Sequence, residues 1–226
     1  VWVSGRTTKV DLRYTANGTA ILLLTLAGED ERPYYLQVKT LKEAAERWAD
    51  RLGNGGAFLL AEAVLEQRQV DGRVYTGLLA RRLSPVDPDA TRVSEPDARG
   101  NTREAGAINL FVGRGLVIRV EERTPTLVVA RMRFSPGGRP DEKGYPPSVF
   151  IDVKGFGEVA EAMKALKEGQ PAFIQGRVKV DSWETGEGKK RYELRLEAQF
   201  VKPLLKELRE AGGLEEDFLP EEDLPF

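Results

Sequence analysis

Along two separate stretches of the chain, apolar and polar residues change places at every step: YYLQVKT at 34–40 and VFIDVKG at 149–155. A period of two sends one row of side chains into a core and the other toward water, which predicts a half-buried strand at each. A further strand candidate precedes each one, TAILLLTLAG (19–28) and TLVVARMRF (126–134). After each comes a segment with apolar residues at helical spacing and a glycine stop, LKEAAERWADRLGNGG (41–56) and FGEVAEAMKALKEGQ (156–170). Two more strands close each half. AFLLAEAVLEQRQ turns through VDGR into VYTGLLARRLSPV, and AFIQGRVKVDSW turns through ETGEGKK into RYELRLEAQFVKPL. Asp-Gly and spaced glycines suit hairpin bends.

The order of elements is therefore duplicated, with one helix between the third and fourth principal strands of each half. Residues 84–106 are rich in Pro, Asp, Ser and Gly, with little to bury, and read as a linker. The expected architecture is all-β with one short helix per domain: two tandem OB-folds, each a five-stranded Greek-key barrel, and a disordered acidic C-terminal tail. The expected boundaries are 1–85 for the first barrel, 86–105 for the linker, 106–203 for the second barrel and 204–226 for the tail. Trp48, at helical spacing with Ala44, Ala45 and Leu52, is expected in the core.

Composition narrows the function classes. The chain has 226 residues, 41% of them hydrophobic, which suffices for packed cores. No apolar run reaches membrane-spanning length, and no signal-peptide pattern is visible in the sequence, which begins at Val1 without Met. Cysteine is absent, which removes disulfides and thiolate chemistry and fits a reducing cytoplasm. Histidine is absent too, which removes the commonest metal ligand and proton-transfer group. A non-catalytic protein without cofactor or metal is expected. Asp152, Asp181 and Glu193 are conceivable metal ligands of an enzyme, but their alternating neighbours read better as solvated strand faces.

Charge is segregated. Residues 215–226 hold six acids and no base, so residues 1–214 carry a formal +4 against −2 for the whole chain. A basic body with an acidic tail is a cue for nucleic-acid binding. The stretch KVDSWETGEGKKRYE supplies an aromatic, Trp183, at the entry to a glycine-rich hairpin, with Lys189, Lys190, Arg191 and Tyr192 on the return strand. Arg177 and Lys179 alternate with Val178 and Val180, which predicts a basic face opposite a packed one. In the first half Arg68 and Arg73 flank the turn, with Tyr75 after it, and Tyr34 and Tyr35 lie on the preceding strand. Aligned on their shared pattern, Tyr35 falls opposite Phe150, Leu41 opposite Phe156 and Val70 opposite Trp183. Each ring also has a plainer reading as core.

On these residues the chain resembles the bacterial single-stranded DNA-binding proteins, in the form with two OB-folds per chain. VDLRYTANGTAILLLTLAGED is similar to that family's strand–hairpin–strand opening. FIDVKGFGEVAEAMKALKEGQPAFIQGRVKVDSWETGEGKKRYELRLE is similar to the centre and end of its DNA-binding domain, and EEDLPF to its acidic terminal peptide. The resemblance implies a nucleoid-associated homodimer of four barrels wrapped by single-stranded DNA. It implies base stacking on Trp183, Phe150 and Phe156, and on Tyr35, with Tyr34 beside it, in the first half. It also implies a tail in which Asp223, Leu224, Pro225 and Phe226 dock replication and repair proteins. Val70 and Leu41 stand where the family usually has aromatics, so a first barrel that binds weakly or serves structure is implied. The hairpin after EERTP is expected to be short. A second reading keeps the fold and makes the chain a specialised paralogue that mainly recruits partners.

Overall fold

The computed structural model describes residues 1–204, apart from 54, 71, 98, 99, 101, 138–145, 185, 187 and 189. The first half runs β1 (Trp2–Tyr14), β2 (Ala20–Glu29), β3 (Pro33–Leu41), α1 (Glu43–Leu52), β4 (Phe58–Val70) and β5 (Arg73–Pro85). After two short strands, β6 (Arg92–Val93) and β7 (Glu104–Ala105), the second half repeats it. It runs β8 (Asn109–Thr124), β9 (Leu127–Phe134), β10 (Val149–Phe156), α2 (Glu158–Lys164), β11 (Pro171–Glu184) and β12 (Lys190–Pro203).

Each set of five strands closes on itself. In the first, β1 pairs antiparallel with both β2 and β4, and β3 meets β5 in parallel at Val38–Leu78. In the second, β8 pairs with both β9 and β11, and β10 meets β12 in parallel at Val153–Leu196. This is the expected pair of OB-folds. Leu22, Leu24 and Leu26 fill one interior, and Val128, Ala130 and Met132 occupy the matching places in the other. Helix α1 turns Ala45, Trp48 and Leu52 inward, and α2 does the same with Ala160 and Met163. Both helices are entered through a left-handed residue. Gly157 (φ 56°) adopts it without strain, whereas the first barrel uses Lys42 (φ 57°), the one non-glycine residue with positive φ among those described. The β8–β9 turn closes directly at Thr124–Leu127, against the longer β1–β2 connection between Tyr14 and Ala20.

The barrels are joined rather than strung apart. Strand β1 pairs with β8 at Trp2–Leu110 and Val3–Asn109. Beside this pairing, within the second barrel, the Asn109 amide of β8 holds both main-chain groups of Val178 of β11 at 2.9 Å. The connecting residues also take part: β6 and β7 pair with each other, and β7 runs parallel to β2 at Gly28 and Glu29. Glu104 of β7 is buried, accepting from Ser4 Oγ at 3.1 Å while its second carboxylate oxygen has no partner. Burial pushes its carboxyl above the ordinary glutamate range, although the Ser4 bond opposes the shift.

Candidate nucleic-acid interface

Alternation along β3 and β10 decides which rings face outward. In β10, Val149, Ile151 and Val153 are buried, and Phe150, Asp152, Lys154 and Phe156 form the opposite row. Phe150 and Phe156 are 38% and 50% exposed. Strands β11 and β12 continue past the barrel as a two-stranded arm, where Trp183 pairs across with Arg191 and Ser182 with Tyr192. Trp183 is 47% exposed on that arm. Its ring lines a groove of about 380 Å³ together with Phe150, Arg131, Arg191, Tyr75 and Arg73. A second groove, about 370 Å³, shares Tyr75, Arg191 and Tyr192 and extends past Arg68 and Lys39. Rings and guanidinium groups from both barrels thus converge on one concave surface.

The first barrel presents a sparser version of the same face. Register equates Val38 with Val153 at the parallel closures, so Tyr35 matches Phe150 and Leu41 matches Phe156. The bulges at Glu62/Ala63 and Gln175/Gly176 match as well, which sets Val70 opposite Trp183. Tyr35 is exposed, but its hydroxyl donates to Asp97 at 3.0 Å and accepts from Arg103. Arg103 also binds Glu29, so the connecting segment ties down this tyrosine. Arg68 lies 6.0 Å from the ring centre of Tyr75, a cation–π contact across the β4–β5 hairpin.

Two of the expected contact residues are elsewhere. Tyr34 belongs to the core: a strand cannot turn adjacent side chains to the same face, and with Tyr35 outward Tyr34 goes in. Its ring crosses Gly28, where an added Cβ would stand 2.4 Å from the ring. Its hydroxyl donates toward the carbonyls of Ser4 and Ile108 at 2.8 and 2.9 Å. Burial foremost, with the charges of Glu104 and Asp30, pushes the phenol far above its ordinary range. Arg177 is likewise buried, paired with Asp30, Glu31 and Glu197 at 3.4, 2.5 and 3.3 Å. It joins the barrels and has no face left for a phosphate. The expected basic-versus-packed alternation of β11 therefore fails at both ends, since Val178 is buried beside it and Val180 is exposed. Lys179 remains half-buried on the row of Trp183. Lys189, the side chain of Lys190 and the segment with Asp223, Leu224, Pro225 and Phe226 lie outside the described residues.

The three carboxylates imagined as metal ligands are bound to cations instead. Asp152 accepts from Arg131 and Arg195, Asp181 from Lys154 at 2.6 Å, and Glu193 from Arg195 at 2.7 Å. Burial raises the Asp152 carboxyl, but the hydrogen bonds from Arg131 and Arg195 outweigh it and hold the group below the ordinary carboxylate range. Among the described residues no acidic group of metal-binding size assembles. Arg131 and Gln67, both lining the groove, were not singled out by sequence. Antiparallel pairing of TLVVARMRF with VFIDVKG sets Arg131 opposite Asp152 and points to the first. No pattern marks the second.

The model of the family described as Single-strand binding protein family matches residues 123–204. A protein of Thermus aquaticus named "Single-stranded DNA-binding protein" is 31% identical over 252 residues, covering 97% of this chain and 95% of that one. The chain belongs to the single-strand binding protein family. Similarly named proteins of Thermus thermophilus and Deinococcus radiodurans are each 32% identical, the first over 97% of this chain and 94% of its own. The second match covers 87% of this chain and 71% of the relative. The crystal structure of the wild-type T. aquaticus protein superposes with a TM-score of 0.66 at 24% identity, covering 91% of this chain and 92% of that one. A deletion mutant of that protein gives 0.64 at 26% identity, over 97% and 96%. Within this family member the matched residues 123–204 fall on the second barrel, the one that carries Phe150, Phe156 and Trp183. Among the described residues no helix is long and apolar enough to cross a membrane.

Proposed function

We propose that the chain binds single-stranded DNA with little sequence preference and protects it during replication, recombination and repair. The observation that carries this reading is the outward pair of Phe150 and Trp183 beside Arg131 and Arg191, with Phe156 exposed further along the same row of β10. Unpaired bases expose π-faces, and stacking on aromatic side chains contributes about 1–3 kcal/mol per base whatever the sequence. Cations along the groove take up phosphate charge. A double helix hides the base faces, so duplex DNA binds far less tightly.

The same reading makes the chain a homodimer. Its support is the outer sheet face: Trp2 pairs with Leu110 across the barrel junction, and Val112, Gln175 and Phe200 form one cross-strand row. Trp2, Val112 and Phe200 are all exposed there. Large apolar side chains grouped on one face mark an interaction surface.

Titration with poly(dT) is expected to saturate stoichiometrically, to quench tryptophan fluorescence and to weaken steeply as salt rises, because displaced counterions oppose binding. Solution mass with and without a defined oligothymidylate reads assembly in the same experiment. Silence in the titration overturns the DNA-binding reading and leaves partner recruitment.

The terminal segment is proposed to recruit replication and repair proteins. Phe226 enters an apolar pocket on the partner, Pro225 limits the entropy lost on docking, and Glu221, Glu222 and Asp223 steer the peptide to basic surfaces. Deleting Phe226 is expected to leave DNA affinity unchanged while abolishing capture of those proteins. Capture that survives the deletion removes the tail from the proposal.

A further inference from the structure

Strand β10 is covered on one side only at its start. β9 pairs with it along its whole length, but β12 reaches it only at Val153 and Lys154. At Phe150 the uncovered edge faces the first barrel, and there a side chain takes the place of a neighbouring strand. Gln67 Nε2 donates to the Phe150 carbonyl at 2.9 Å, and Gln67 Oε1 accepts the Phe150 N–H at 3.2 Å. Nε2 also donates to Thr76 Oγ1 at 3.0 Å, across the β4–β5 hairpin. Holding a carbonyl and an N–H at once takes a donor and an acceptor on one planar head, which an amide has and a hydrocarbon lacks.

Gln67 and Thr76 line the groove whose walls come from both barrels, Tyr75 and Arg73 on one side and Phe150 and Trp183 on the other. We propose that Gln67 is a positioning residue that fixes the two surfaces edge to edge, so that one DNA strand passes without a break from the second barrel onto the first across the Phe150–Tyr75 seam. This rests on the DNA-binding reading. A strand seated on one barrel then meets the other at high effective concentration, which a loosened seam lowers. Phe150 itself stays in place without Gln67, because Arg133 of β9 pairs with it. The joint therefore matters to a strand that spans both barrels and not to one that fits on either.

The test uses the full chain with Gln67→Ala and Gln67→Met, the second keeping most of the volume without donor or acceptor. Oligothymidylates of about 8 and about 30 nucleotides serve as probes, since one OB-fold takes roughly 4–16 nucleotides. Both variants are expected to bind the longer probe about five- to tenfold more weakly, the scale that two hydrogen bonds support, and to lose clearly less than that on the shorter one. Amide hydrogen exchange at Phe150 is expected to speed up in both. Undiminished binding of the longer probe overturns the proposal. So does an equal loss at both lengths, which makes Gln67 a mere support for the Phe150 ring. If the parent chain binds neither probe, the DNA-binding reading falls first and the seam with it.

Discussion

Trp183→Ala is expected to weaken binding of oligothymidylate by about 5- to 150-fold, the equivalent of the ~1–3 kcal/mol that one stacked base contributes. Trp183 stands on an arm beyond the barrel, 47% exposed, so its truncation changes stability little. Its neighbours in the groove, Arg131 and Arg191, remain. The slope of log affinity against log salt counts displaced counterions and is therefore expected to stay the same in this variant. Loss of affinity at constant slope separates stacking from phosphate contact. Tyr35→Ala is the control in the first barrel. Its hydroxyl is committed to Asp97 and Arg103, and its companion positions hold Leu41 and Val70 in place of rings. A much smaller loss is expected there. Equal losses show that the two barrels share the load, and an unchanged affinity for Trp183→Ala removes the indole from the interface.

Much of this architecture is legible in the chain because it is written twice. The shared alternation of YYLQVKT and VFIDVKG sets Tyr35 against Phe150, and the parallel closures at Val38 and Val153 reproduce that register. The same alternation also excludes Tyr34 from the surface, since a strand cannot present adjacent side chains on one face. Arg177 is different. Its sequence neighbours describe an exposed basic row, and its burial depends on Asp30 and Glu31, far away in the first barrel. The docking of one barrel on another leaves no periodic trace. Gln67 is illegible for the same reason: its partner Phe150 is a main-chain contact across the junction. The connecting segment reads as linker because strands of two residues are too short for any pattern, yet β7 adds to β2 and brings Arg103 to Tyr35.

The largest effect on stability is expected at Arg177. Its guanidinium reaches Glu197 within its own barrel and Asp30 and Glu31 on the β2–β3 turn of the other, and its side chain is 7% exposed. Glu31 is mostly exposed, so that pair adds little by itself. Asp30 and Glu197 are three-quarters covered, and without the cation they face each other across the junction. Removing one partner of a buried pair costs about 3–5 kcal/mol, and the partial access of water to both acids sets Arg177→Ala near the lower end, at about 3 kcal/mol. For a chain of this size that corresponds to a melting point lowered by roughly 6–12 °C. Arg177→Met restores much of the packing volume but not the charge, and is expected to recover only a minor part of the loss. If Met recovers nearly all of it, the side chain acts by filling the junction. If both variants melt as the parent does, the ion cluster contributes nothing, and the barrels are held by the β1–β8 pairing together with the Gln67–Phe150 and Tyr34–Ile108 hydrogen bonds.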